Sequence, residues 1–363
     1  MSESNLIAEF QDTVRSSHKV LPRGGGTKPA LSTPVDDALT VLDVSRLNGI
    51  IEYEPGEYTF TAYAGAPLKK IVAALAEHGQ YLPFDPLLVE QGATLGGTVA
   101  ANTAGPGRVR YGGVRDFILG VRFIDGQGQV VRGGGKVVKN SAGFDLPKFM
   151  VGSAGRFGVL VELSFKVFPQ PPAFTTLKLT YPGLEAALDA IYCLATRPIE
   201  LDALDLEATE DRRFALLFRL GGLAEALPER IERLQALMQA ESRLAGADTI
   251  EGQAEAALWA GVNACAWADP EASLIKVPLS PRQLPALEAQ LPPGKRRYSA
   301  GGNIAWLSTA EVEAVDNALT KLELPGLQLW GQPGRPYLGH RKGVSMARRV
   351  QRALDPQGKF LEA

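Results

Sequence analysis

The chain has 363 residues, of which 45% are hydrophobic and 21% charged, a composition typical of a soluble globular protein with two domains. The net charge of -2 disfavours a nucleic-acid binder that relies on a general basic field, and no apolar run reaches the roughly 18 residues of a membrane span. Two cysteines without CxxC spacing and three scattered histidines exclude a zinc or iron-sulfur cluster held by this chain alone.

The first ten residues are acidic and lack the charged and apolar regions of a signal peptide. We therefore expect a cytoplasmic protein. Residues 1–20 predict a short amphipathic helix, because Leu6, Ile7, Phe10 and Val14 recur at helical spacing.

Three glycine-rich segments stand out in the first half, at residues 22–27, 91–115 and 152–158. Such segments let the backbone approach a flat ligand closely and adopt positive φ angles. In the first of them, Arg23 precedes consecutive backbone N–H donors, which suits a pyrophosphate. A surface loop without a ligand is the alternative explanation. Three such loops in one domain favour a large ligand held along its length.

The elements between these segments follow from periodicity and punctuation. Strands are predicted at residues 38–44 and 58–64, and a helix at residues 66–79, with a proline in its first turn and a glycine after its end. The apolar face of this helix is expected to contain Leu68, Ile71, Val72 and Leu75.

Further along, residues 117–132 predict a β-hairpin around a turn at 125–128, and residues 159–167 alternate as a half-buried strand. Three prolines at positions 169, 171 and 172 mark the expected domain boundary. Beyond them, a strand at 174–179 and helices at 184–195, 228–238, 310–322 and 344–354 indicate an α+β domain.

Known nucleotide motifs are missing from the sequence. Gly135-Lys136 and Gly358-Lys359 lack the Ser or Thr that a Walker phosphate loop requires. Pro29 lies where a Rossmann fingerprint would continue as a helix. The large ligand suggested by the glycine segments must therefore be bound in another way.

Taken in order, several motifs resemble the FAD-binding domain of the vanillyl-alcohol oxidase family, also called PCMH-type. They are Arg-Gly-Gly-Gly-Thr at 23–27, Ala-Thr-Leu-Gly-Gly-Thr-Val-Ala at 93–100, Arg-Asp-Phe-Ile-Leu-Gly at 115–120, the glycine-rich run at 133–146 and the segment 152–160. Within that family, residues 64–68, 79–83, 104–106 and 139–145 are most similar to the E subunits of bacterial glycolate oxidase. The second half resembles those subunits chiefly at 299–307.

The resemblance implies an α+β fold. A PCMH-type FAD-binding domain of two α+β subdomains would occupy residues 1–170, a smaller α+β cap domain residues 171–340, and a C-terminal helix within 341–363 would pack back on the FAD domain.

It also implies roles for individual residues. The pyrophosphate would be wrapped by Arg23, Gly24, Gly25, Gly26 and Thr27. The flavin side would be lined by Pro86, Thr94, Leu95, Gly96, Gly97 and Thr98, and then by Asn102 and Gly105. The adenine end would be met by Gly155, Gly158 and Val159. Positive φ is expected at Gly25, so that Gly25→Val would abolish flavin binding.

Two departures from the family pattern affect these expectations. Thr27 stands where many members carry the histidine or cysteine that bonds to the flavin, so the FAD is expected to be noncovalent. At the adenine end, three residues differ from those that are common in the family: Ala154, Arg156 and Phe157.

The implied function is that of an FAD-dependent oxidoreductase subunit, not active alone, in a complex that oxidises glycolate or D-lactate to the 2-oxoacid. Its expected partners are a catalytic flavoprotein subunit and an iron-sulfur subunit, with any membrane association occurring through them at the cytoplasmic face. The cap shows no histidine pair or metal-ligand cluster, and no catalytic residue can be assigned. A self-sufficient flavin oxidase of alcohols or hydroxyacids, which could use His340 or Tyr337, and an assembly subunit that has lost FAD are the alternatives.

Overall fold

The computed structural model describes residues 3–135, 144–209, 213–241 and 244–362. The chain divides into two compact units. The first unit comprises Met1–Ala104, Gly112–Gln170 and Lys342–Ala363, and the second comprises Gly105–Tyr111 and Pro171–Arg341. Helices and strands are mixed in both, which confirms the α+β class. Among the helices in the described ranges, none is both long and apolar enough to span a membrane.

The first unit contains three small sheets. Its strands are β1 Lys19–Arg23, β2 Leu39–Asp43, β3 Ile50–Glu54, β4 Thr59–Tyr63, β5 Gln80–Tyr81, β6 Ile118–Ile124, β7 Val130–Gly134, β8 Val159–Lys166 and β9 Phe168–Pro169. β1 and β2 pair in parallel, β5 pairs with β9, and the five-stranded sheet has the order β3-β4-β8-β6-β7. The predicted hairpin is β6 and β7, and β8 alternates as expected.

The helices of the first unit are short. They are α1 Glu3–Ser16, α2 Pro29–Ser32, α3 Leu68–Ala76, α4 Leu95–Ala101, α6 Val114–Phe117, α7 Leu146–Met150 and α13 Val344–Leu354, while α5 Arg108–Tyr111 belongs to the second unit. α1 buries the four apolar residues that its spacing indicated. In α3, Pro67 precedes the helix, and Val72 is 36% exposed. Placing Val72 on the buried face was therefore wrong, because it lies at the border of the apolar stripe.

The last residues of the chain complete the first unit. Val20 of β1 donates its backbone N–H to the carbonyl of Lys359 at 2.7 Å, and Gly126 donates to the carbonyl of Leu354 at 2.9 Å. Phe360 is only 1% exposed, and Asp355 accepts from its backbone N–H at 2.8 Å. These contacts fix the segment after α13 against β1 and the β6-β7 turn.

The short segment Gly105–Tyr111 lies within the predicted FAD domain by sequence but clusters with the second unit. Arg110 explains this placement, because its guanidinium contacts Asp202 and Glu200, both at 2.8 Å.

A single nine-stranded sheet forms the centre of the second unit, with the order β13-β10-β12-β11-β15-β16-β14-β17-β18. All of its paired strands are antiparallel. The strands are β10 Ala173–Tyr181, β11 Ala203–Ala208, β12 Phe214–Gly222, β13 Gly246–Glu251, β14 Ser273–Pro278, β15 Lys295–Ser299, β16 Ile304–Thr309, β17 Pro325–Trp330 and β18 Tyr337–Gly339. The helices are α8 Leu184–Ala195, α9 Leu227–Glu241, α10 Gly252–Asn263, α11 Leu284–Glu288 and α12 Val312–Lys321.

The two faces of this sheet differ in chemistry. One face packs against α8, α9, α11 and α12 in a large apolar core that includes Leu177, Phe218 and Ile275. The other face carries a small apolar cluster around Trp259 of α10, whose Nε1 donates to Thr176 Oγ1 at 2.8 Å, and several ion pairs. Polar side chains are therefore concentrated on one side of the sheet.

Candidate functional site

A cleft in the first unit brings the three glycine-rich segments together. Its lining comes from the loop after β1, from the start of α4 and from the loop before β8. The lining residues are Pro22, Gly24, Gly25, Gly26, Thr27, Lys28, Leu31, Ser32, Val44, Ala64, Thr94, Gly96, Gly97, Ala100, Ala101, Ser153, Ala154, Gly155, Gly158 and Leu160. Segments more than 50 residues apart in the sequence thus form one surface.

The first loop follows β1 with almost no side chains. A Cβ atom on Gly25 would lie 1.9 Å from the carbonyl oxygen of Gly92, and one on Gly24 would lie 2.4 Å from Thr94 Oγ1. Gly26 has φ +69° and faces open space. The expected positive φ at Gly25 is therefore wrong. Gly26 has it instead, and Gly25 is needed because the loop packs against the backbone at Gly92.

The start of α4 forms a close wall of the cleft. Thr94 is the residue before the helix, and its Oγ1 accepts from the N–H of Gly97 at 3.2 Å. The N–H of Gly96 donates to the carbonyl of Ala64 at 2.7 Å, and a Cβ on Gly96 would lie 2.8 Å from that same oxygen. The first N–H groups of α4 are thus used within the protein, so this turn contributes shape to the cleft.

Donors are available in the first loop. Within the part of the chain that the structure describes, the backbone N–H groups of Gly25 and Gly26 make no hydrogen bond, and both residues are exposed. Lys28 lines the same loop, is only 5% exposed and donates from Nζ to Thr27 Oγ1 at 3.3 Å. A buried ammonium beside exposed N–H donors is the environment that a phosphate requires.

The third loop is fixed against α4 and α13. Gly152 and Ala154 donate their N–H groups to the carbonyls of Val99 and Ala100, at 2.9 and 2.8 Å. Ala154 and Gly155 both have positive φ, of +48° and +73°. Ser153 Oγ is buried and has no hydrogen-bond partner among the described residues. A buried hydroxyl without a partner is costly, so a ligand in the cleft would gain by bonding to it.

Arg156 supports this loop from within. It is 5% exposed, and its Nη1 donates to the carbonyl of Ala154 at 2.7 Å. Gln351 of α13 donates from Nε2 to the carbonyl of Arg156 at 3.0 Å and to that of Leu361 at 2.7 Å. The C-terminal helix therefore positions a loop of the cleft.

Nine of the residues that the resemblance implied line this cleft: Gly24, Gly25, Gly26, Thr27, Thr94, Gly96, Gly97, Gly155 and Gly158. Seven do not. Arg23 is exposed at the end of β1, and Gly105 lies in the second unit. Four of the seven are buried: Pro86, Leu95, Thr98 and Val159. Asn102 follows the last residue of α4 and has the left-handed conformation.

Thr98 has a further feature that suits a ligand. Its Oγ1 and that of nearby Thr103 are buried without a hydrogen-bond partner in the described part of the chain. The motif at 133–146 falls largely on residues 136–143, which lie outside the described residues.

Sequence reasoning missed Lys28 and Ser153. Lys28 follows directly after the first glycine cluster, and Ser153 lies inside the third, so each was adjacent to a recognised signal. Neither residue type is informative by itself, because most lysines and serines are exposed.

The cleft fits the phosphates and the rings of a dinucleotide. Lys28 and the two exposed N–H groups supply positive potential, Ser153 supplies a buried hydroxyl, and the glycines leave room for a flat group along the wall. No group of three or more His, Cys, Asp or Glu side chains is close enough to hold a metal ion in the ranges that the structure describes.

Three arginines of the second unit that could hold an acid are engaged with other groups. Arg296 pairs with Glu288 at 2.7 Å, Arg335 pairs with Glu313 and Asp316, and Arg341 stacks on the ring of Tyr337 at 3.7 Å. His340 lies beside this last pair and donates its backbone N–H to the carbonyl of Leu324.

Comparison with known proteins links this cleft to flavoproteins. Residues 1–134 match the family model described as FAD binding domain. The glycolate oxidase subunit GlcE of Escherichia coli (strain K12) is 34% identical over 309 residues, which cover 84% of this chain and 81% of GlcE. The glycolate oxidase subunit GlcD of Bacillus subtilis (strain 168) is 29% identical over 242 residues, covering 62% of this chain and 51% of GlcD.

A D-lactate dehydrogenase of Archaeoglobus fulgidus is 30% identical over 211 residues, which cover 57% of this chain and 46% of that enzyme. The chain thus spans most of GlcE but only about half of these two other relatives. Among solved structures, an alkyldihydroxyacetonephosphate synthase has a TM-score of 0.71 at 15% identity, covering 97% of this chain and 73% of the synthase. That likeness shows a shared fold.

Proposed function

Because this chain belongs to the family of the glycolate oxidase subunit GlcE and carries an FAD-binding domain, we propose that it is the FAD-binding subunit of a glycolate oxidase-like complex. The complex would oxidise glycolate or D-lactate to the corresponding 2-oxoacid. In it, FAD would accept the two electrons that leave the hydroxyacid. The observation that carries the proposal is the cleft in which all three glycine-rich segments meet.

Within the cleft, we assign the pyrophosphate to the first loop. The N–H groups of Gly25 and Gly26 would donate to its oxygens, and the ammonium of Lys28 would balance its charge. Ser153 would donate to the ligand from the third loop. Thr27 offers no histidine or cysteine for a covalent bond, so the FAD would be held noncovalently.

We propose further that the first unit is the FAD domain and the second the cap domain. The C-terminal helix α13 then belongs to the FAD domain, because Gln351 supports the third loop of the cleft. The partners would be a catalytic flavoprotein resembling GlcD and an iron-sulfur subunit, in the cytoplasm or at the cytoplasmic face of the membrane.

The experiment that tests this function is anaerobic. The purified, FAD-loaded chain is mixed with glycolate or D-lactate, alone and together with the products of its neighbouring genes, and bleaching of the flavin is followed. We expect turnover with the partners and little bleaching by the chain alone. Rapid bleaching without a partner would establish a self-sufficient enzyme, and a chain that binds no FAD would favour an assembly subunit.

The noncovalent state of the cofactor has its own test. Acid precipitation of the purified chain should leave yellow FAD in the supernatant and a colourless pellet. A pellet that stays yellow would contradict the assignment of Thr27.

A further inference from the structure

The second unit contains a groove that shares no residue with the FAD cleft. It has a volume of about 690 Å³ and is lined by residues 197–200, which connect α8 to β11, by Leu220 of β12 and by α9 between Arg230 and Leu237. All of these residues belong to the second unit. The groove combines an apolar floor with charged side chains at its rim.

The floor of the groove is the edge of the large apolar core. Leu220 and Leu234 are buried members of that core, and Ile199 and Leu237 pack against it while remaining half-buried. A side chain that entered the groove would cover these residues, and the removal of apolar area from water would favour its binding.

Two arginines of α9 lie along this floor. The helix turns four buried residues at helical spacing toward the core. Arg230, Arg233 and Leu237 are separated by three and then four residues, so they form a second stripe beside that buried face, and all three line the groove. The two guanidinium groups are therefore neighbours on one side of the helix.

The positive charge of these two arginines is not paired with a carboxylate in the described part of the chain. Arg230 donates from Nη1 to the carbonyl of Gly221 at 2.7 Å and from Nη2 to the carbonyl of Glu200 at 3.2 Å, and both acceptors are neutral. Arg233 is exposed and makes neither an ion pair nor a hydrogen bond with any described residue. Arg230 is thus fixed in position, and Arg233 is free to turn toward a partner.

The other two charged side chains of the groove are already paired. Arg197 pairs with Glu241, and Glu200 pairs with Arg110 at 2.8 Å. The groove therefore has an excess of positive charge that comes from α9. Like charges three residues apart on a helix repel one another, and carboxylates placed beside them would relieve this repulsion and form charge-assisted hydrogen bonds.

Apolar surface continues beyond one end of the groove. A Cβ atom on Gly222 would lie 3.0 Å from Arg230 Nη1, and the next residue, Leu223, is 59% exposed. A small molecule bound within the groove would leave this leucine in water, whereas a protein segment running along α9 would cover it. Arginines around an apolar centre are also typical of protein–protein interfaces.

The length of the groove suits a short amphipathic segment. Between Arg230 and Leu237, α9 rises by about 10 Å, or roughly two helical turns. A segment that lies along it would place roughly two or three apolar side chains on the floor and carboxylates beside the arginines.

We propose that this groove binds an acidic amphipathic segment of a partner subunit. The apolar side chains of that segment cover Ile199 and Leu237, and its carboxylates pair with Arg230 and Arg233. The chemistry of the segment rests on the groove itself, whereas its place in a partner subunit rests on the proposed function.

The test measures the affinity of the purified, FAD-loaded chain for the purified products of its neighbouring genes by biolayer interferometry, at about 50 mM and about 500 mM NaCl. Arg233→Glu should weaken association about tenfold at the lower salt concentration and much less at the higher one, because salt screens an exposed charge. Arg233→Lys keeps the charge and should retain most of the affinity. Leu223→Ser should weaken association at both salt concentrations, because its contact is apolar.

The matched control is Arg282→Glu, which makes the same change of charge at another exposed position of the second unit. This variant should associate like the wild type. Arg233 and Leu223 are both exposed, so their variants should fold, and thermal unfolding and FAD content are measured on every preparation. If Arg233→Glu does not fold, Arg233→Ala supplies the same comparison.

Each outcome decides between the groove and the proposed function. A complex that oxidises glycolate or D-lactate but contains Arg233→Glu and the wild type with equal affinity overturns the groove and leaves the proposed function standing. An equal loss of affinity in Arg282→Glu also overturns the groove, because the effect then reflects net charge. A wild-type oligomer that Arg233→Glu dissociates in the absence of the neighbouring products overturns the partner subunit as the occupant and assigns the groove to a second copy of this chain. A wild-type chain that takes up no FAD overturns the proposed function.

Discussion

Replacing Lys276 by methionine should make the second unit more stable, and the gain should depend on pH. Methionine fills a similar volume without the charge, so its packing cost is small and does not change with pH. The lysine, in contrast, must give up hydration when the chain folds. Burial and the neighbouring Arg108 lower its pKa to about 7 in the folded chain.

The size of the effect follows from that pKa. The pKa of the Lys276 ammonium falls from 10.5 in the unfolded chain to about 7 in the folded chain. At pH 7, this difference lowers the free energy of unfolding of the wild type by roughly 4 kcal/mol. Between pH 7 and pH 10.5 the unfolded chain binds the proton and the folded chain releases it. The wild type therefore gains stability as pH rises, by about 1.4 kcal/mol per unit, whereas the variant has no such term.

The assay is urea unfolding at pH 7 and at pH 9, followed by the fluorescence of the buried tryptophans Trp259 and Trp306. We expect Lys276→Met to be more stable than the wild type by about 4 kcal/mol at pH 7 and by about 2 kcal/mol at pH 9. Lys295→Met, at an exposed position, should follow the wild type at both values. If the wild type and Lys276→Met differ by the same amount at both pH values, the lysine is not buried in the way described.

Two further predictions concern the FAD cleft. Lys28→Met should weaken FAD binding by about 1.5 to 3 kcal/mol, the range for a hydrogen bond to a charged group, and Arg23→Ala should weaken it less because Arg23 is exposed. Fluorescence titration of each apoprotein with FAD compares the two variants. If both lose the same binding free energy, the phosphates do not lie beside Lys28. Gly25→Ala should destabilise the first unit even without FAD, because its Cβ would lie 1.9 Å from the carbonyl oxygen of Gly92. Gly26→Ala should lower the free energy of unfolding by only about 1 to 2 kcal/mol, because Gly26 has a left-handed φ and open space around it. Thermal unfolding of both apoproteins measures these effects, and a Gly25→Ala variant as stable as the wild type would refute the packing at Gly92.

The first unit could largely be predicted from the sequence, because its signals are local. The spacing of Leu6, Ile7, Phe10 and Val14 predicted α1, and alternation predicted β8. The glycine segments also pointed to one ligand, and most of their residues do meet in one cleft. Which glycine takes positive φ could not be predicted, because that depends on the distant carbonyl of Gly92.

The polar face of the second unit could not be predicted for a related reason. Lys276 lies within the run Ser-Leu-Ile-Lys-Val-Pro, where one charged residue in a strand normally indicates a solvent-exposed position. Its burial depends on which strands flank β14. The strand order of a nine-stranded sheet with long crossovers cannot be predicted from local sequence patterns. The segment Gly105–Tyr111 likewise joins the second unit through one long-range pair, Arg110 with Asp202.

The contacts between β1 and the segment after α13 affect the order in which the two units can fold during synthesis. Val20 of β1 bonds to Lys359, and Phe360 is buried in the same unit, so the unit that holds the FAD cleft depends on residues that follow the second unit in the sequence. The second unit, apart from Gly105–Tyr111, is continuous in sequence and emerges before them. During synthesis, the second unit can therefore fold first, and the FAD cleft can be completed only after the segment that follows the second unit has been added.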